Sequence, residues 1–289
     1  MSEKLVMKDD IMFKAFFSRN QHYLKSFLSA ILGEKIKIKK VTHDARLEQL
    51  TKEMKYGILD LDIESENGEI INVEMQLKDL KNIQERTTFY ASKKIVEQIE
   101  PKENYKQLNR VIIIAILDYT LTDLPEYITE TVRVSAKHRE YELNNLVKYY
   151  YIELEKFRKQ NPNMDEHINQ WLAFIDMERG DLLEMAKNKN KEIKQALEGY
   201  EVLTGDAEVK RLAEIRLMSK LEENSALASA RDKGTREGLE KGKKEGLEQG
   251  KREEKISTAK KLIELNMPTE QIIKITGLSK EEIENLQHD

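Results

Sequence analysis

Asp60, Glu74 and Gln76 are the residues of this sequence best suited to chemistry. Each acid lies among apolar neighbours in strand-like sequence, Asp60 between Leu59 and Leu61 and Glu74 between Val73 and Met75. Ionised carboxylates are expensive to bury unless a cation holds them. Two such acids brought together ask for a hard ion with oxygen ligands, so Mg²⁺ is the expected cofactor, with Mn²⁺ as the alternative. Gln76 follows Glu74 by two residues, which puts it on the same face of a strand, where it can hydrogen-bond a phosphate or a water.

The elements that must position these residues are two strands and their turn. Residues 58–64 alternate apolar and acidic side chains, residues 70–76 alternate similarly, and Asn67-Gly68 between them is a strong hairpin signal. Loop length decides the geometry. A two-residue loop sets Asp60 against Met75 and turns Asp60 and Glu74 to opposite faces. A three-residue loop over Glu66-Asn67-Gly68, with glycine in the left-handed position, sets Asp60 directly opposite Glu74. Directly opposed carboxylates repel unless they share a cation. The competing reading is an edge hairpin whose acids simply face solvent, as most charged strand residues do.

The string Gly57-Ile-Leu-Asp60…Asn67-Gly68…Asn72-Val-Glu-Met-Gln76 resembles the recombination-promoting nuclease/putative transposase family of the PD-(D/E)XK nuclease superfamily. The superfamily core is Asp…Glu-x-Lys, and in this family glutamine commonly takes the place of the lysine. Asp10-Ile-Met-Phe13-Lys14 is similar to the family's N-terminal Asp-x-x-Phe-Lys, and His22 followed by Phe27 to Leu32 is similar to its first-helix pattern. Arg86…Tyr90-Ala-Ser-Lys93 resembles the helix after the Glu-x-Gln strand. The resemblance implies an α/β, restriction-endonuclease-like core, a mixed central sheet flanked by helices, followed by an all-α C-terminal region. It also implies a metal ion on Asp60, Glu74 and the backbone carbonyl of Met75, and DNA cleavage that promotes recombination.

Four further residues are candidates for supporting roles. Asp10 is either a first-turn acid favoured by the helix dipole or a further acid aimed at the site. Asp62 shares the face of Asp60. The missing lysine leaves Lys78 or Arg86 to supply a cation, Arg86 from a helix over residues 82–99 on which Tyr90, Lys93 and Lys94 lie on or near the same face. A solvated helix face is the alternative for that group.

Composition narrows the setting. The 289 residues carry a net charge of −4 and no cysteine, so disulfides, thiol chemistry and cysteine-based zinc sites are excluded and a reducing cytoplasm is expected. The longest clean apolar run, Val111 to Leu117, is too short to span a bilayer. An acidic balance does not advertise nucleic-acid binding, so any contact with DNA must use local basic patches.

The remaining sequence divides as a nuclease-like core over 1–160, a helical extension over 161–230, a charged segment over 231–255 and a small helical tail over 256–289. Residues 8–32 read as an amphipathic helical region, and residues 35–40 as a short strand or turn. Val111 to Leu117 reads as a central strand covered on both faces. Residues 129–135 and 148–154 read as further strands, with Tyr149, Tyr150 and Tyr151 as packing residues rather than base-stacking ones. Gly234, Gly238, Gly242, Gly246 and Gly250 recur every four residues, and at roughly 1 kcal/mol each against alanine they describe a poorly packed single helix. In the tail, Ile256 to Asn266 reads as an amphipathic helix, Pro268 opens a second that Gly277 closes, and Ser279 with Glu282 forms a capping box for a third. That tail resembles a helix-turn-helix, but Glu281, Glu282 and Glu284 repel phosphate. The sequence therefore supports a Mg²⁺-dependent DNA endonuclease first. An inactive nuclease fold that assembles as an oligomer through its C-terminal helices comes second, and a DNA-binding regulator third.

Overall fold

The structure, a computed structural model, describes residues 5–42 and 61–288. By compactness the chain falls into two units, Met1–Ser219 and Lys220–Asp289.

The first unit is built on a six-stranded mixed sheet of order β1-β2-β3-β4-β6-β5. Its strands are β1 (Ile38–Thr42), β2 (Leu61–Ser65), β3 (Ile70–Gln76), β4 (Val111–Leu117), β5 (Ile128–Thr131) and β6 (Val147–Glu153). β4 lies parallel to both β3 and β6, whereas β1–β2, β2–β3 and β5–β6 are antiparallel. All seven residues of β4 are buried, as its unbroken apolar run requires of a strand covered on both faces.

One face of the sheet carries most of the core. Ile63, Ile71, Val73, Met75, Ile112, Ile114, Ile116 and Ile152 pack there against α1 (Asp10–Arg19), α2 (Gln21–Leu32) and the later helices. The helical region expected over residues 8–32 divides at Asn20, whose backbone leaves the helical range and whose side-chain amide donates to the Phe16 carbonyl at 2.8 Å. The corner brings Phe13, Phe16, Phe17, Tyr23 and Phe27 into one aromatic cluster with Trp171 and Phe174. The opposite face is covered by α3 (Ile83–Val96), which follows β3 and leads back to β4, laying Ile83, Thr87 and Ala91 on the sheet.

After β6 come α4 (Leu154–Lys159), α5 (His167–Asp176), α6 (Gly180–Lys189), α7 (Lys191–Gly205) and α8 (Ala207–Glu264). Tyr150 and Tyr151 are buried, Tyr151 sharing a 2.9 Å hydrogen bond with Thr87, so these tyrosines are packing residues. α8 is 58 residues long and takes in the whole glycine-periodic segment. Its residues from 224 to 255 are exposed, and a Cβ built on any of the five glycines meets nothing within 4 Å.

Within the second unit, the end of α8 packs with α9 (Thr269–Thr276) and α10 (Lys280–His288) around Ala259, Ile272, Leu278 and Ile283. The helix expected to begin at Ile256 is continuous with α8. Gly277 is left-handed at φ 68°, and the capping box forms: Ser279 N–H donates to Glu282 at 2.9 Å and Glu282 N–H donates to Ser279 Oγ at 3.2 Å.

Candidate active site

The hairpin turns by the longer of its two routes. Ser65 N–H donates to the Glu69 carbonyl at 2.9 Å, Gly68 N–H donates to the Ser65 carbonyl at 3.0 Å, and Gly68 takes φ 84°. A side chain there would also collide with Asn109, whose Oδ1 lies 2.7 Å from a built Cβ. The resulting register pairs Leu61 with Val73, Asp62 with Asn72, Ile63 with Ile71 and Glu64 with Ile70. Asp60 lies outside the described residues.

That register sorts the strands by face. Ile71, Val73 and Met75 enter the main core, while Asn72, Glu74 and Gln76 face α3 together with Asp62. Glu74 is only 2% exposed. Its parallel neighbour on β4 is Ala115, and the buried patch beside it contains Ile83, Leu117 and Tyr151. A carboxylate so placed needs a cation, and α3 supplies one. Arg86 Nη2 forms an ion pair with Glu74 Oε1, and its Nη1 reaches Gln76 Oε1 at 3.4 Å. The guanidinium stands 5.7 Å from the centre of the Tyr90 ring, within cation–π range.

Four residues further along the helix from Tyr90, Lys94 Nζ binds Asp62 Oδ2 at 2.6 Å, and Asn72 donates to Asp62 Oδ1 at 2.9 Å. Arg86, Tyr90 and Lys94 thus form one stripe of α3 laid along the polar face of β2 and β3. Close by, burial together with the negative charges of Asp79 and Glu74 pushes the Tyr119 hydroxyl up to about 12. It is therefore a neutral phenol at physiological pH.

The other candidates are placed differently. Lys78 is exposed, and its carbonyl accepts from Gln76 Nε2 at 3.2 Å, which fixes the amide of Gln76. Asp10 accepts from Arg216 Nε at 2.9 Å, and its helix, α1, packs on the face of the sheet away from Glu74.

Sequence reasoning missed a second acidic group. Asp118, Asp176 and Glu178 hold their carboxylates within 4.8 Å of one another. Asp118 follows β4 directly, and its N–H donates to the Gln76 carbonyl at 3.0 Å. Lys8 pairs with Asp118 at 2.9 Å and also with Glu178; Arg158 pairs with Asp118 at 2.6 Å, Asp176 at 2.5 Å and Glu178 at 3.3 Å. Burial pushes the Asp176 carboxyl up, and Arg158 opposes that shift. Lysine and arginine therefore already fill the role a metal would have among these acids.

The sequence profile of the PD-(D/E)XK nuclease family transposases matches residues 7–230. The chain belongs to that family. No curated protein and no solved structure matches it significantly. Membership of a PD-(D/E)XK nuclease family gives the mixed sheet its meaning and assigns a nuclease- or transposase-related role. The match takes in β1–β6 and α1–α7 and ends within α8. Nucleases of this kind generally use divalent metals. On donor chemistry β3 offers a hard ion, at Glu74, the carboxylate oxygen it prefers. Among the described residues no helix is long and apolar enough to cross a membrane.

Proposed function

We propose that the chain is a metal-dependent DNA endonuclease that promotes recombination, transposase-associated, working in the reducing cytoplasm that its cysteine-free composition suits. The observation that carries this reading is Glu74: a buried carboxylate on the α3 face of β3, two residues before Gln76, with the Arg86 guanidinium on both. The burial of such an acid is costly without a positive partner.

In this reading Asp60, Glu74 and the backbone carbonyl of Met75 hold Mg²⁺, with Mn²⁺ as a substitute. The ion, when bound, supplies charge to the scissile phosphate and lowers the pKa of the attacking water. Gln76 orients that water or a phosphate oxygen, because an amide is neither a strong base nor a cation. Its hydrogen bond to the Lys78 carbonyl already restricts the amide to one orientation. Arg86 supplies the positive charge that the superfamily takes from lysine, and Lys78 is exposed where the DNA backbone can reach it. Asp62, held by Lys94 and Asn72, keeps α3 in register beside β2. Asp10 braces α1 to Arg216.

The alternative is a catalytically weak fold acting as an oligomeric DNA- or protein-binding module. The exposed run of α8 favours it, since a helix stripped of side chains every fourth residue suits close approach by another helix. Nicking of supercoiled plasmid with Mg²⁺ separates the two. The intact chain nicks and Asp60→Ala and Glu74→Ala do not, if the first reading is right. Equal nicking by all three removes the site, and no nicking by any across metals and DNA forms leaves the binding module.

A further inference from the structure

We propose that Arg86 works in two positions: it is the counter-ion of Glu74 in the metal-free protein, and it moves onto the DNA phosphate once a divalent ion takes the carboxylate. This rests on the reading of Glu74 as a metal ligand and adds how the empty site is kept stable and how its cation reaches the substrate.

Four observations support it. Glu74 is almost wholly buried, so without a metal it needs a permanent positive partner. Arg86 is that partner, and arginine cannot lose its charge to relieve a crowded site. A guanidinium and a divalent ion on one small carboxylate repel each other strongly at such short range. Arg86 is also partly open to solvent. Its side chain is 24% exposed, its contact with Gln76 is long at 3.4 Å, and the face of Tyr90 beside it holds a cation without fixing its direction. The guanidinium can therefore turn outward along the Tyr90 ring while Gln76 stays tied to Lys78.

Arginine's planar fork matches two phosphate oxygens, which makes the outward position productive. The acidic group at Asp118 shows the contrast. There each cation is shared among several carboxylates and is held on all sides.

The test measures Mn²⁺ binding to the full chain by calorimetry and by electron paramagnetic resonance, beside thermal unfolding and plasmid nicking. The variants are Arg86→Gln, Arg86→Lys and Glu74→Ala. Arg86→Gln removes the competitor of the metal, so Mn²⁺ should bind about tenfold tighter than to the wild-type chain. The same variant should unfold at lower temperature without metal, and Mn²⁺ should raise its unfolding temperature by more than it raises that of the wild type. Nicking should nonetheless fall about a hundredfold, because the phosphate has lost its cation. Arg86→Lys should keep metal affinity near the wild-type value and recover part of the nicking.

Mn²⁺ binding that depends on Glu74 but is weakened or left unchanged by Arg86→Gln overturns the two-position role and leaves the metal site standing. Binding unaffected by Glu74→Ala removes the metal site itself, and the role of Arg86 with it.

Discussion

Among the charge groups of the first unit, two are neutralised in opposite ways. Lys8 and Arg158 each touch two or more of Asp118, Asp176 and Glu178, tying together the segment before α1, the end of β4, α4 and the end of α5. Glu74 is met by a partly exposed arginine from a helix that packs over it. By carboxylate spacing alone the first group looks more like a metal centre. The difference teaches that the arrangement of the cations distinguishes a brace from the proposed site. A cation shared three ways cannot leave without stranding several acids, whereas a cation at the end of one flexible side chain can.

The sharpest way to break this comparison is to remove Arg158. Arg158→Met strips Asp118, Asp176 and Glu178 of a shared partner, and losing one side of a buried pair costs about 3–5 kcal/mol. Arg158 keeps some solvent contact, so the lower end is expected, measured by urea unfolding, with nicking per folded molecule retained. A loss of nicking without loss of stability would reverse the roles assigned to the two groups.

Glu74→Ala should act the other way round. Nicking should drop by at least about a hundredfold, a loss typical of removing one group that acts on developing charge. Stability should change little, because Arg86 can turn to solvent.

Gln76→Lys tests the polar face more gently. It restores the superfamily's cation beside Glu74, and nicking should lie between unchanged and about tenfold faster, the effect of ~1.4 kcal/mol of added charge stabilisation. A fall as deep as that of Glu74→Ala, in a folded protein, would give Gln76 a neutral hydrogen-bonding duty that charge cannot replace.

The smallest expected effect concerns two acids near one another in sequence that titrate in opposite directions. Burial raises the Asp176 carboxyl, whereas the Arg179 guanidinium holds the exposed Asp181 carboxyl down to about 2, against an ordinary 3.8. A depressed carboxylate contributes stability above its ordinary pKa and loses it as pH falls through the folded one. The stability of the wild-type chain should therefore decline between about pH 4 and pH 2 more steeply than that of Asp181→Asn. Identical acid profiles would show that the Arg179–Asp181 pair contributes nothing in solution.

Much of the central sheet was legible because its signals are local. The apolar run of β4, the Asn67-Gly68 turn and the alternation along β3 name those elements directly, and i, i+4 spacing groups Arg86, Tyr90, Lys93 and Lys94, of which Lys93 instead lies exposed beside Glu97. The family match then bears out the recognition and the fold class. The turn left two registers open, and only the ladder, with Ser65 against Glu69, distinguishes them. The charge group around Asp118 gave no sequence signal at all. Lys8 and Glu178 are separated by most of the first unit, and nothing near either residue names the other. Asn20 and Ile256 failed for a smaller reason: helical periodicity reports a face but not where a helix bends or continues. Asn20 ends α1 with a side-chain hydrogen bond that many asparagines could make, and nothing at Ile256 interrupts α8.

The glycines of α8 carry a consequence for the life of the protein. A protease needs several residues of extended backbone, so it cuts where a helix opens at least cost. Gly234 to Gly250 lie in a run of exposed residues with no side chains of their own to hold the helix, and each costs about 1 kcal/mol relative to alanine. Traces of protease should therefore cleave first between Arg231 and Lys255. The products would be one fragment carrying every described strand and another holding the cluster around Ile272, each keeping its own core. The glycine period thus marks where degradation begins.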